Sequence, residues 1–348
     1  MNKVSLLLVT MAVLSGCKSM EPEQTGGDRS IYNGNNSVLY EVQKQSSSPD
    51  QAMLMAAAAY QAGDLDQALY QYLRAIELDP KRYEALVWVG RIHRERGNTQ
   101  LAELAFNDVL TSSPGNLNGL TEMGLLNLAG RNHERAQELL FKAVAVDQQR
   151  LTNGKSSNPP QVTALKVDSR SPVKIYNGLG VLADLRNDFP QAQAYYQLAM
   201  QIEPRSALVQ NSLAYSFYLA GNWEEATRAY RQGIIYDSGY KPLWRNYGLL
   251  LARKGQYEEA LSAFEQVESR AEASNDVGYV CLIEGQLDLA EQFLRGAIEQ
   301  SPSYYGIAWD NLNRVQQIRR IRQPGTSKAD AESVAAAAAV ATGVPAAR

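Results

Sequence analysis

The sequence predicts an all-α fold: about seven helix-turn-helix repeats stacked as a right-handed superhelical solenoid, closed by a C-terminal capping helix. The first observation behind this is a period. Ala68, Ala102, Ala136, Ala192, Ala226, Ala260 and Ala290 are separated by 34, 34, 56, 34, 34 and 30 residues, a 34-residue unit with one insertion of 22 and one deletion of 4. The second is a register around each alanine, visible in "AGDLDQALYQYLRAIELDP", "RGNTQLAELAFNDVLTSSP", "AGNWEEATRAYRQGIIYDS" and "KGQYEEALSAFEQVESRAE": a glycine five residues before it, an aromatic four after, usually a proline twelve after. The third is what those residue types do. Gly and Ala let two antiparallel helices approach closely, glycine breaks the first helix at the turn, and proline ends the second. The aromatic is expected to fill the gap between one pair and the next. No pair buries its apolar face alone, so the pairs stack and leave a concave inner wall.

The elements follow in order. Residues 1–16 have the layout of a secretory signal: Lys3, an apolar run from Val4 to Val13 interrupted by Ser5 and Thr10, then small Ser15 and Gly16 before Cys17. The run is too short to span a bilayer. Leu14-Ser15-Gly16-Cys17 resembles the bacterial lipobox, which implies cleavage before Cys17, diacylation of its thiol and N-acylation, with palmitate among the chains. Several chains hold a protein to a bilayer where one does so only marginally. An ordinary secreted protein with an incidental cysteine is the alternative. Lys18 stands where many inner-membrane lipoproteins carry Asp, so the resemblance implies the periplasmic face of the outer membrane. Residues 17–48, rich in Ser, Gly, Asn and Gln, read as a flexible tether, with a short helix expected over Val38 to Gln45.

Repeats one to three occupy 49–150 and repeats four to seven 173–304. Glycines at the helix-crossing position are Gly90, Gly124, Gly180, Gly248 and Gly278, and those at the turn are Gly63, Gly97, Gly221, Gly255 and Gly285. The second-helix aromatics are Tyr72, Phe106, Tyr196, Tyr230 and Phe264, with Leu140 and Leu294 in the other two repeats; closing prolines are Pro80, Pro114, Pro204 and Pro302. This pattern resembles the tetratricopeptide repeat (TPR) over roughly residues 49 to 304, and the resemblance implies a protein-binding array.

Between repeats three and four, 151–172 ("RLTNGKSSNPPQVTALKVDSRSP" and its surroundings) reads as an inserted loop, either a tolerated surface insertion or a functional element such as a hinge. Residues 305–322 read as the capping helix, apolar at Ile307, Leu312, Val315 and Ile318, with Arg314, Arg319, Arg320 and Arg322 on the outer side. An Ala-rich low-complexity tail fills 323–348.

Composition excludes several functions. The formal charge of -3 becomes -4 without residues 1–16, too mild for nucleic acid as the main partner. With Cys17 acylated, Cys281 has no cysteine to pair with and reads as a small buried hydrophobe. His93 and His133 are too few for a metal site, and the sequence carries no phosphate loop, His-Glu-x-x-His, Cys-x-x-Cys or Ser-x-x-Lys. Glu224-Glu225 and Glu258-Glu259 read as solvated helix starts. The expectation is a protein that is not an enzyme and needs no cofactor and no metal.

Binding remains. Inward-facing first-helix positions are Arg91, Arg94, Leu125, Lys174, Asn177, Asn211, Tyr215, Tyr218, Arg245, Leu249 and Tyr279. Lys174, Asn177, Asn211 and Arg245 resemble the set with which some TPR domains hold a terminal carboxylate, without reproducing it in adjacent repeats; an ordinary polar wall is the other reading. The tyrosines read as peptide anchors or as stacking residues between repeats. In layout the chain resembles the TPR lipoproteins of tight-adherence (Tad/Flp) pilus systems and, second, the type IV pilotins. That implies a lipid-anchored scaffold whose partners are secretin, pilus or secretion-platform subunits. Two other readings stay open: an envelope adaptor recruiting peptidoglycan hydrolases or proteases, and a regulator whose basic cap contacts an anionic cell-wall polymer.

Overall fold

The computed structural model describes residues 46–153 and 162–322; residues 1–45, with the helix expected over Val38 to Gln45, residues 154–161 and the tail 323–348 lie outside them. The described residues form fifteen α-helices, one short 3-10 turn (Val162–Ala164) and no strand. The helices are α1 (Pro49–Gln61), α2 (Leu65–Leu78), α3 (Tyr83–Glu95), α4 (Thr99–Ser112), α5 (Leu117–Ala129), α6 (His133–Leu151), α7 (Val173–Asp184), α8 (Phe189–Ile202), α9 (Ala207–Leu219), α10 (Trp223–Tyr236), α11 (Lys241–Arg253), α12 (Tyr257–Phe264), α13 (Arg270–Ile283), α14 (Leu287–Gln300) and α15 (Gly306–Arg322). They are the seven expected pairs and the expected cap. Two compact units share the chain, one up to Ala105 and one from Phe106 onward.

One turn geometry recurs in all seven pairs. The first helix ends on a residue in the left-handed region: Gly63, Gly97, Gly221, Gly255 and Gly285 at φ between 76 and 80°, but Arg131 at 61° and Asn187 at 59°. The next residue closes that helix by donating its backbone N–H five residues back, as Asp64 does to Ala59, Asn132 to Asn127, Asp188 to Ala183 and Gln286 to Cys281. It also opens the second helix: the Asp64 carboxylate accepts from the Gln67 N–H at 2.9 Å, and Asn132 and Asp188 cap α6 and α8 likewise. One short polar residue therefore serves two helix ends.

In four of the pairs the crossing is tight enough to require glycine. A Cβ on Gly124 would lie 2.8 Å from Leu140 Cδ2, one on Gly248 2.9 Å from the Phe264 ring, and one on Gly278 2.8 Å from Leu294 Cγ. On Gly180 it would lie 2.7 Å from Tyr196 Cζ and closer still to Cε1. The second-helix aromatic thus seats on the glycine of its own pair, not in the gap before the next pair as the spacing alone suggested. The leucines at 140 and 294 take the same seat. Tyr230, opposite buried Ala214's position, does face the following pair, with its ring 5.9 Å from that of Tyr247.

The described end of the insertion, residues 162–172, is a loop with one 3-10 turn, held against the preceding helix. Helix α6 runs nineteen residues, and its last turns latch the returning segment. Arg150 donates to both carboxylate oxygens of Asp168 at 2.7 Å and to buried Asp147 at 2.6 Å. Gln148 donates to the Lys166 carbonyl at 2.7 Å and accepts from the Lys166 N–H, while Tyr176 donates to Asp147 at 3.0 Å. Paired with Arg150, Asp168 is held well below the usual carboxylate range.

The cap departs from the sequence pattern at one end. Ala308, Asn311, Leu312 and Val315 are buried and Ile318 packs against the core, but Ile307 is 62% exposed. Arg319 turns inward to Asp288 at 2.5 Å and to Glu291.

Candidate interaction surface

Within the second unit, the first helices touch their counterparts in turn: α5 with α7, α7 with α9, α9 with α11, α11 with α13, and α13 with α15. Among the described residues no contact of that extent joins consecutive second helices. A row of paired helices whose first members approach more closely than their second members bends toward the first, so these helices form the inner wall.

The residues picked from the sequence fall on these helices. Leu125, Lys174, Asn177, Asn211, Tyr215, Tyr218, Leu249 and Tyr279 are half-buried and Arg245 is exposed, each on a first helix of the second unit. Several of the polar groups are engaged inside the chain. The Lys174 ammonium lies 3.5 Å from Glu122, Asn211 accepts from Asn246 at 3.0 Å, and Arg245 donates to Glu268 at 2.5 Å. Lys174, Asn211 and Arg245 thus each make a contact of their own along the wall, while the buried Asn177 Oδ1 has no hydrogen-bond partner. Leu125 packs toward α7, since a Cβ on Gly178 would meet its Cδ2 at 3.1 Å. Leu249, Tyr218 and Tyr279 lean on the core of their unit.

The tyrosines converge further. The rings of Tyr215 and Tyr218 stack at 5.6 Å with 28° between planes. Arg253, the last residue of α11, lies over Tyr218 at 5.4 Å, donates to its hydroxyl at 3.1 Å and to Glu284 at 2.8 Å. Burial pushes the Tyr215 phenol up to about 12, so it stays a neutral hydrogen-bonding group. Beside this cluster Asp184 is buried, accepting from Tyr196 and Ser216, each at 2.7 Å. Burial raises its carboxyl to about 6 against the pull of those two donors. Asp276 on α13 is raised to about 6 as well, by burial and then by the neighbouring Glu268 charge.

Sequence reasoning missed Asp184, Ser216, Tyr230 and Arg253 as parts of this surface. The signal was present: Asp184 and Tyr218 stand one 34-residue period apart, as do Tyr196 and Tyr230. In the first unit Arg91 lies over the Trp88 ring at 4.5 Å, Trp88 meets Tyr60 edge-on at 4.9 Å, and half-buried Arg94 shares the helix α3. Cys17 lies outside the described residues. Among the described residues, Cys281 is a buried free cysteine, no three His, Cys, Asp or Glu side chains group to hold a metal ion, and no helix is long and apolar enough to cross a membrane.

Comparison with known proteins agrees with this geometry. A tetratricopeptide-repeat family model matches residues 53–116, 211–271 and 248–305. The BBSome complex member BBS4 of Bos taurus is 24% identical over 221 residues, 60% of this chain and 42% of that protein, so the chain spans less than half of that relative. A chain of the APC/C hetero-tetramer Cut9-Hcn1 superposes with a TM-score of 0.56 at 16% identity, over 80% of this chain and half of that one. A tetratricopeptide repeat protein from Parabacteroides merdae gives 0.49 at 16% identity, over 78% of this chain and all of its own. With the family model matching at both ends of the array and the same helix pair and turn built in the repeats between them, the fold of this chain is that of tetratricopeptide repeats.

Proposed function

We propose that the chain is a non-catalytic protein-interaction scaffold, anchored through an acylated Cys17 at the periplasmic face of the outer membrane, that assists assembly of a pilus or secretion complex. The observation that carries the binding part is the inner wall of the second unit, where half-buried tyrosines and amides stand along successive first helices. A wall of rigid aromatic anchors with a polar rim suits a protein segment better than a small molecule. That a relative bears the name of a complex member supports an assembly role. The anchor rests on Leu14-Ser15-Gly16-Cys17 followed by Lys18, and the pilus or secretion partner on the layout of anchor, tether and repeats.

Capture of tagged full-length protein from cross-linked, gently solubilised envelopes tests the partner. Secretin, pilus or secretion-platform subunits are expected; peptidoglycan hydrolases or proteases in their place would make the chain an enzyme adaptor and retire the pilus reading. Cys17→Ser should move the protein from the membrane pellet to the soluble fraction, and continued sedimentation with the outer membrane would refute the anchor. The anionic-polymer reading is weakened at one of its four arginines, since Arg319 is engaged by Asp288 and Glu291.

A further inference from the structure

Tyr196 and Tyr230 occupy the same place in consecutive repeats, and only one of them is satisfied. Tyr196 donates to Asp184. One repeat later the residue in Asp184's place is Tyr218, and the Tyr230 hydroxyl, wholly buried, has no hydrogen-bond partner. Tyr218 holds the place of the Asp184 that Tyr196 reaches, and the Tyr215 and Tyr218 phenols act on the Tyr230 hydroxyl electrostatically, which turns it toward the tyrosine cluster of the inner wall. Leaving a buried hydroxyl unpaired costs about 1–3 kcal/mol, and buried polar groups without partners are few in folded proteins.

We infer that this hydroxyl is a recognition donor: it serves an extended protein segment that threads the tyrosine cluster and presents a main-chain amide carbonyl to Tyr230 as Tyr218 swings aside. The chemistry of the surroundings selects that acceptor. Arg253 is already committed to Tyr218 and Glu284, and the Asp184 and Glu284 carboxylates flank the cluster, so an added negative charge would be repelled. A neutral carbonyl meets a neutral donor, and the Tyr215 face that Tyr218 now covers receives a flanking side chain. The inference rests on the inner wall being the binding surface proposed above.

The test uses the full chain and a displayed library of random dodecapeptides selected on the wild-type protein. Enriched peptides are then measured against Tyr230→Phe and, as a control elsewhere on the wall, Tyr279→Ala. The expected result is paired: Tyr230→Phe weakens peptide binding about tenfold, the worth of one well-made hydrogen bond, while raising the urea midpoint, because the unpaired hydroxyl is gone. A hydroxyl with an internal structural role would move stability the other way, and a lowered midpoint overturns the inference. Peptides that bind Tyr230→Phe as they bind wild type, yet lose affinity for Tyr279→Ala, overturn it and leave the wall reading intact. Failure to enrich any peptide overturns both.

Discussion

Adding one methyl group at Gly180 should destabilise the pair formed by α7 and α8. A Cβ there would lie 2.7 Å from Cζ and 2.8 Å from Cδ1 of Tyr196, inside any real carbon contact distance. The ring cannot yield, being 1% exposed and tied through its hydroxyl to Asp184 at 2.7 Å. Overpacking a core costs about 1–3 kcal/mol, and this contact belongs at the upper end. The helix itself favours alanine over glycine by about 1 kcal/mol, which leaves a net loss of about 2 kcal/mol. For a folded chain of this size that lowers Tm by roughly 4–8 °C. Gly296, inside α14, is the matched control: a Cβ there meets nothing closer than Gln300 at 3.5 Å, so Gly296→Ala should gain about 0.5–1 kcal/mol. Urea unfolding of the two variants, followed by fluorescence and by amide exchange in α7 and α8, gives opposite signs if the crossing is as described. A Gly180→Ala midpoint at or above wild type would refute the packing argument, and equal losses in both variants would refute the register behind it.

Two further outcomes follow from the same repeats. Arg131 sits at φ 61° where five sister turns use glycine; the left-handed conformation costs a side chain about 1–2 kcal/mol and glycine's freedom in the unfolded chain returns part of that, so Arg131→Gly should stabilise by about 0.5–1 kcal/mol in urea titrations. Asp184 has its folded pKa raised to about 6 from an ordinary value near 4, so its neutral form is favoured on folding: its contribution is fully present below the unfolded value and is lost as pH rises through about 6, at most about 3 kcal/mol. Asp184→Asn should therefore raise the urea midpoint at pH 8 more than at pH 5, and an equal change at both would show that the carboxylate is not strained by its burial.

The fold was legible in the sequence because its determinants are local and repeat. Gly63, Gly97, Gly221, Gly255 and Gly285 mark turns that the backbone makes in the left-handed region, and the alanine period fixes which residues meet. The surface was legible only as positions. That Tyr215, Tyr218 and Leu249 line first helices follows from spacing, but that Lys174 reaches back to Glu122 and Arg245 across to Glu268 depends on contacts between repeats, which no single repeat encodes. At the insertion Asn, Gly and Pro mark a loop, but that its return is held by Arg150 and Gln148 from the preceding helix is again a contact that composition does not show. Likewise the aromatic's seat within its own pair needs the depth of the crossing, which composition does not supply.

The places where this array breaks its own pattern fall together. The family match leaves out residues 117–210, the stretch holding the insertion and both turns built on a side chain in the left-handed region, Arg131 and Asn187. The same stretch contains the buried Asp147, which accepts from Arg150 on its own helix and Tyr176 on α7, and Asp184, which accepts from Tyr196 on α8 and Ser216 on α9. Repeats near the ideal pattern gain stability from interchangeable apolar contacts and can be replaced by one another. Repeats three and four instead depend on particular polar pairs and carry local strain, which natural chains retain where a position does more than hold the stack together. The orphan Tyr230 hydroxyl lies one repeat beyond that stretch, facing the helix that donates Ser216 to Asp184. At α7 to α10 a departure from the repeat thus adjoins an unpaired buried hydroxyl, and that is the segment of the wall whose substitutions should change binding before they change the fold.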